Sequence, residues 1–250
     1  MISEVRAASR GVYGAPKVLQ ELGKAGARTS RECAARIMRE NGRAGTARGC
    51  ARRPKGGAKQ AAPQPCAAPD PVRRDFGADG PDRLRFAGIA YARTHRGWPC
   101  LAVVTDVWSR MTVGWSMSAG MASELADGAL KMAIARRRPG KGCAHRSDHG
   151  SQYASLPLGK TMREAGIEPS MGSISSPWGN AAMESLMGVI RAGCVHARTF
   201  ESRGRAALGI FEYIECFYNR ARTHSALGYL GPEEFERANR PEDDRRLKAA

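Results

Sequence analysis

Acid is scarce in this chain: 24 Asp and Glu stand against 40 Lys and Arg over 250 residues, a net charge of +16. Such a surface attracts polyanions, nucleic acid above all. The deficit is uneven. Residues 1–75 carry 16 basic and 6 acidic side chains, a net of +10, whereas residues 76–250 carry 24 and 18, a net of +6. Metal-ligand patterns are missing too. The seven cysteines, at 33, 50, 66, 100, 143, 194 and 216, include no Cys-x-x-Cys pair and have no His cluster beside them, which argues against zinc. An odd, scattered set fits a reducing compartment. No apolar run approaches the length of a membrane span, and "MISEVRAASRG" has no apolar signal core. Together these absences predict a cytoplasmic protein without a membrane partner.

What is present falls into segments. Residues 12–42 read as two short helices. Pro16 suits a first helical position, and Val18, Leu19 and Leu22 supply an apolar face that Gly23 and Gly26 end. Thr29 or Ser30 can cap a second helix bearing Ala34, Ala35, Ile37 and Met38, with Arg31, Arg36 and Arg39 on it. Helix, Gly-containing turn and basic helix form the helix-turn-helix pattern, so residues 1–42 are expected to bind DNA through those arginines. Residues 43–76 are expected to be a flexible basic linker. From 43 to 74 there are five prolines, four glycines and a single large apolar residue, Val72, too little to offset the entropy of ordering. From residue 77 an α/β core is expected up to 200, with a helical extension over 201–250. "LRFAGIAYAR", "CLAVVTDVW" and "MTVGWSMS" read as an antiparallel meander turning at Gly97 and at Ser109-Arg110. Ser123 is placed to cap a helix, and a short strand near 143–147 ends at Asp148. A helix near 156–165, the strand "IEPSM", a helix from the N-cap Asn180 to about 192, a long helix over 204–222 and a last one opened by Pro232 complete the reading.

The stretch "HRSDHGSQY" sets Asp148 alone among His145, Arg146 and His149. A meander followed by a helix and a strand with an acid at its end suggests a ribonuclease H-like layout. "SDHGSQY", "NAAMES" and "YNRARTHSALGYLGPEEFE" resemble the integrase core of insertion-sequence transposases, in which a second reading frame encodes a retroviral-integrase-like enzyme. "GWPCLAVVTDVWSRMTVGWSM" resembles the core's second and third strands, and "VYGAPKVLQELGKAGARTSRECAARIMRENG" the family's N-terminal segment. The resemblance implies an α/β fold: a ribonuclease H-like integrase core, a mixed five-stranded sheet flanked by helices, preceded by a small helix-turn-helix segment. It implies a bacterial cytosolic protein, held to the nucleoid by DNA. Its partners would be element ends and target DNA, bound as a homo-oligomer. The implied activity is metal-dependent phosphodiester hydrolysis and strand transfer. The family has two aspartates and a glutamate, the last two separated by 35 residues, and Asp148 and Glu184 have that separation. Three acids serve metal chemistry. Two Mg²⁺ ions roughly 3.5–4 Å apart clamp the attacking and leaving oxygens, and such hard cations take oxygen ligands. Asp148 and Glu184 are the expected ligands for Mg²⁺ or Mn²⁺, and Arg191, two turns along the same helix face as Glu184, could reach a phosphate. Taken singly, Asp148 could cap a turn and Glu184 could be an ordinary exposed helix residue. His145 and His149 read as hydrogen-bonding or surface residues, not ligands. The four tryptophans, at 98, 108, 115 and 178, read as packing residues.

The third acid is absent. The family's first aspartate lies in the first strand, and Gly88 holds its place. Glycine offers no side-chain oxygen, so catalysis is expected to be impaired. The alternative is a noncatalytic DNA-binding protein or repressor derived from a transposase. Gly179, Gly193, Ala90 and Cys100 also stand where the family commonly has other residues, each one A-to-G change away. Asp106 is the candidate substitute. If the hairpin centres on Gly97, Asp106 faces Gly88 across the strands, and a shift of register removes the pairing.

Overall fold

A computed structural model describes residues 1–43, 45, 78–120, 123–147, 155–171, 185 and 187–240. The expected linker lies almost wholly outside them, as do Asp148, His149, Trp178, Gly179, Asn180 and Glu184.

The described residues form one five-stranded sheet, built from β1 (Leu84–Tyr91), β2 (Cys100–Asp106), β3 (Thr112–Ser118), β4 (Ala144–Ser147) and β5 (Glu168–Met171), in the order β3-β2-β1-β4-β5. The meander is antiparallel, whereas β4 runs parallel to β1 and β5 parallel to β4. The sheet is therefore mixed. β2 is buried along its whole length, so its apolar run does not alternate. Strand alternation on β1 divides the core in two. Ala87 packs, with Ala102 and Val104, against the buried side of α4 (Ser123–Arg137) and Leu158 and Met162 of α5 (Leu156–Glu164). Ala90, with Leu101 and Val103, faces the opposite layer, which contains Ile190, Ile210, Ile214 and Phe217.

The hairpin register differs from the symmetric turn at Gly97. Thr94 and Gly97 close the turn around His95 and Arg96, with the Thr94 hydroxyl donating to the Gly97 carbonyl at 2.8 Å. Gly97 takes φ +109°, which glycine adopts without steric cost. The strands consequently pair Gly88 with Val103, and Asp106 with Arg85.

At the N-terminus, α1 (Ile2–Ala8), which the sequence reading did not anticipate, precedes α2 (Ala15–Lys24) and α3 (Arg31–Glu40). Pro16 lies in the first turn of α2, and the Ser30 hydroxyl accepts from the Cys33 amide at 3.1 Å. Gly23 does not end α2 but lies within its last turn, and Gly26, at φ +79°, reverses the chain. This segment packs on the core. Val18, Leu22 and Met38 belong to the same buried cluster as Leu101 and Ile210. Tyr13 Oη accepts from the Thr223 amide at 2.7 Å, and Lys17 donates to the Thr223 carbonyl.

The C-terminal part has two π-helical stretches where ordinary helix was expected. Helical residues 187–190 run into Arg191–Val195, and α6 (Arg203–Phe211) runs into Glu212–Tyr218. They meet closely. A Cβ on Gly193 would lie 2.0 Å from Tyr213 Oη, so Gly193 has a packing role of its own. Asn219 then pairs with the edge of β3, accepting from the Thr112 amide and donating to its carbonyl, both at 2.9 Å. Pro232 opens α7 (Pro232–Asn239).

Candidate active site

Among the described residues β4 (Ala144–Ser147) pairs with β1 over Leu84↔Ala144, Arg85↔His145 and Phe86↔Arg146. Past Phe86 the β1 backbone also meets a helix. Arg191 Nη2 donates to the Ile89 carbonyl at 2.8 Å, which fixes the following helix against the strand. Gly88 lies on this stretch and, by alternation, shares the face of Ala90. Its side-chain space is filled. A Cβ built on Gly88 would lie 2.8 Å from Met187 Cγ, 3.2 Å from Sδ and 3.6 Å from Cε. Met187 is itself buried, at 4% exposure, in the cluster of Leu101, Val103 and Ile190. Among the described residues, no group of three His, Cys, Asp or Glu side chains could hold a metal ion.

Asp106 is engaged elsewhere. Its Oδ2 accepts from the Ser109 amide at 3.0 Å and hydroxyl at 2.9 Å, and its Oδ1 from the Asp82 amide at 2.9 Å. Burial raises its carboxyl above the ordinary value, with the amides of Ser109 and Asp82 opposing the shift. Three residues beyond Val103, it lies on the face opposite Gly88. The pairing expected to bring it beside position 88 does not form.

Around Asp106 is a network the sequence reading did not detect. Asp82 accepts from Arg85 at 2.7 Å and pairs with Arg137 at 3.3 Å, and Arg137 forms a two-bond pair with Glu236. His145, fully buried beside Arg85, finds no hydrogen-bond partner at either nitrogen among the described residues. It is not the hydrogen-bonded or surface residue expected. Burial, then the charge of Arg85, depresses its imidazole to about 4, so it is neutral at pH 7.

On α3 the expected DNA-contacting arginines are exposed. At 100° per residue, Arg31, Arg36 and Arg39 span roughly 140° of surface, away from Ala34 and Met38. Arg36 pairs with Glu40 at 2.9 Å. Two tryptophans pack as expected: Trp108 lies 5.0 Å from the Phe235 ring, and Trp115 Nε1 donates to Glu215 at 2.9 Å. Trp98 does not, being 51% exposed with Arg93 stacked on its ring at 5.1 Å.

Two profiles described as Integrase core domain match residues 80–177 and 165–232, and an HTH-like domain matches residues 1–49. Transposase InsF for insertion sequence IS3A, from Escherichia coli strain K12, is 40% identical over 168 residues, covering 67% of this chain and 58% of that protein. The chain thus matches little over half the length of that relative. The transposase for insertion sequence element IS629 from Shigella sonnei is 36% identical over 227 residues, covering 91% of this chain and 74% of that protein. Among solved structures, the simian T-cell lymphotropic virus intasome in complex with PP2A regulatory subunit B56 gamma has a similar chain. The match has a TM-score of 0.53 at 13% identity and covers 96% of this chain and 76% of that one. At that identity the likeness is one of fold, the ribonuclease H-like fold of integrase cores.

Proposed function

The chain belongs to the insertion-sequence transposases that carry an integrase core, and from that premise we propose that it binds DNA while its phosphodiester chemistry is impaired at Gly88. The observation that carries this reading is Met187 seated in the side-chain space of Gly88. The family resemblance would bring Asp148, which follows β4 in sequence, and Glu184, three residues before Met187, together with position 88. A two-metal clamp needs hard oxygen donors at that convergence. Position 88 supplies none, and a soft thioether occupies its place, so this donor set does not fit the clamp. Asp148 and Glu184 would remain as ligands for at most one weakly held Mg²⁺ or Mn²⁺.

DNA is the partner that the charge and the family favour. Arg31, Arg36 and Arg39 on α3 would contact phosphates, and Arg191 would reach one beside β1. Element ends and target DNA are the expected substrates, bound by a homo-oligomer. The packed state of position 88 favours the noncatalytic form of this reading, a DNA-binding protein or repressor of related elements. Duplex binding and nicking, assayed with and without Mg²⁺, test the proposal. We expect binding that needs no metal and falls steeply with salt, with no nicking. Mg²⁺-dependent nicking by the unaltered protein would contradict it.

A further inference from the structure

The tip of the β1–β2 hairpin carries a group of cations that the candidate site does not use. Arg93 lies 5.1 Å from the Trp98 ring centroid, and Arg198 4.8 Å from that of Phe200. The two stacked pairs are joined through the backbone. The Phe200 amide donates to the Arg93 carbonyl at 2.9 Å, and the His95 amide to the Phe200 carbonyl at 3.0 Å. Arg93, Arg96 and Arg198 are exposed, and Trp98 and Tyr91 expose about half their surface, at 51% and 45%. Arg198 is further confined by Gly209, where a Cβ would lie 2.5 Å from its Nη2. Glu201 follows Phe200 in sequence, yet none of these three arginines has an ion pair with it or with any other described carboxylate. Two planar guanidiniums are thus stacked on rings without an ion-pair partner among the described residues. A guanidinium ordered before binding loses less entropy when it meets a phosphate.

The group is continuous with the candidate site. Arg191, bonded to the Ile89 carbonyl, lies next to Gly88's strand, and the exposed His196 imidazole is held below its ordinary value by partial desolvation, then by the charges of Arg191 and Arg93. Arg93 is five residues past Gly88, roughly 17 Å along an extended chain, or about five steps of duplex DNA at 3.4 Å each.

We infer that the hairpin tip, with Arg93, Arg96 and Arg198, is a second duplex-DNA contact, separate from α3, that holds the phosphate backbone a few base pairs from position 88. This rests on the reading of the chain as a DNA-binding protein. Affinity for a 30-base-pair duplex, measured by fluorescence anisotropy over a salt series, tests it on the full chain. Arg93→Ala with Arg198→Ala should weaken binding about 10-fold at low salt and lower the slope of log affinity against log salt by about 2. Arg96→Glu, a change at an exposed site, should weaken binding in the same direction without altering the residues of either stacked pair. A triple Arg31→Ala, Arg36→Ala, Arg39→Ala variant is the comparison. If it loses affinity while both hairpin variants bind like the parent, the hairpin contact is wrong and the DNA-binding reading stands. If the parent binds no duplex at all, that reading fails and the hairpin contact fails with it.

Discussion

Three residues apart on β1, Arg85 and Gly88 are packed in opposite ways. Arg85 lies in a web of charge that joins Asp82, Asp106, Arg137 and Glu236, residues from before β1 to the last described helix. Gly88 lies under a methionine in an apolar cluster. The first arrangement ties the ends of the core together, and little in it can change singly, because removing one partner strands another buried charge. The second asks only that apolar volume be filled. Position 88 can therefore do without a side chain while the sheet is kept, whereas the acids around Arg85 are bound to the fold.

The largest test of this contrast is Arg137→Ala. It strips Glu236 of its two-bond partner and leaves Asp82 to Arg85 alone, and should cost about 3–5 kcal/mol, measured as the shift in urea midpoint. Glu236→Ala should cost a similar amount, and the double variant less than the sum. Near-additive small effects would mean that the web does not hold the fold. Next in size is Met187→Ala, expected to cost about 2–5 kcal/mol as a buried core truncation. A loss well under 1 kcal/mol would instead mark Met187 as a loose occupant of an open cleft.

pH separates the two regions further. The imidazole of His145, depressed to about 4 in the folded chain, has an ordinary value near 6.5 when unfolded. The unfolded state therefore takes up the proton first. Stability is full above about pH 6.5 and is lost as pH falls through the window down to 4, by about 2 kcal/mol at pH 5. Denaturant titrations of the parent and of His145→Gln from pH 7 to 5 check this, since the variant should lack that portion of the slope. Equal slopes would mean that His145 is not held neutral. The smallest effect is expected from Gly88→Ala. Reduced chain entropy in the unfolded state favours it by about 0.4–1 kcal/mol, and displacement of Met187 opposes it, so the net change in urea midpoint should correspond to less than about 1 kcal/mol. A much larger loss would mean that Met187 cannot give way.

Much of this was legible in the sequence because it is local. Pro16 in the first turn of α2, the Ser30 cap of α3, the three-stranded meander and Pro232 at the start of α7 follow from neighbouring residues. The buried side of α4 was also readable, since Ala126, Ala129, Leu130 and Ala133 recur at helical spacing. The register of the β1–β2 hairpin was not. A glycine in the turn marks where the chain reverses but not which residues close it, and that difference moved Asp106 to the other face. Arg137 and Glu236 are 99 positions apart, and nothing near either announces the pair. Reading Gly88 as a vacated position rests on the resemblance alone. That Met187 fills it depends on how the later helix lies across β1, which no pattern within that helix specifies.

Position 88 lacks a side-chain metal donor and is closed by Met187. Calorimetric titration with Mn²⁺ tests this most directly, on the parent, on Gly88→Asp with Met187→Ala, and on that pair with Asp148→Asn added. The second substitution makes room for the new carboxylate. We expect binding at least about 10-fold tighter in the double variant, a gain of about 1.4 kcal/mol, which is lost again when Asp148 is replaced. Mn²⁺ binding by the parent as tight as that of the double variant would contradict it, because a working metal centre would then exist without position 88.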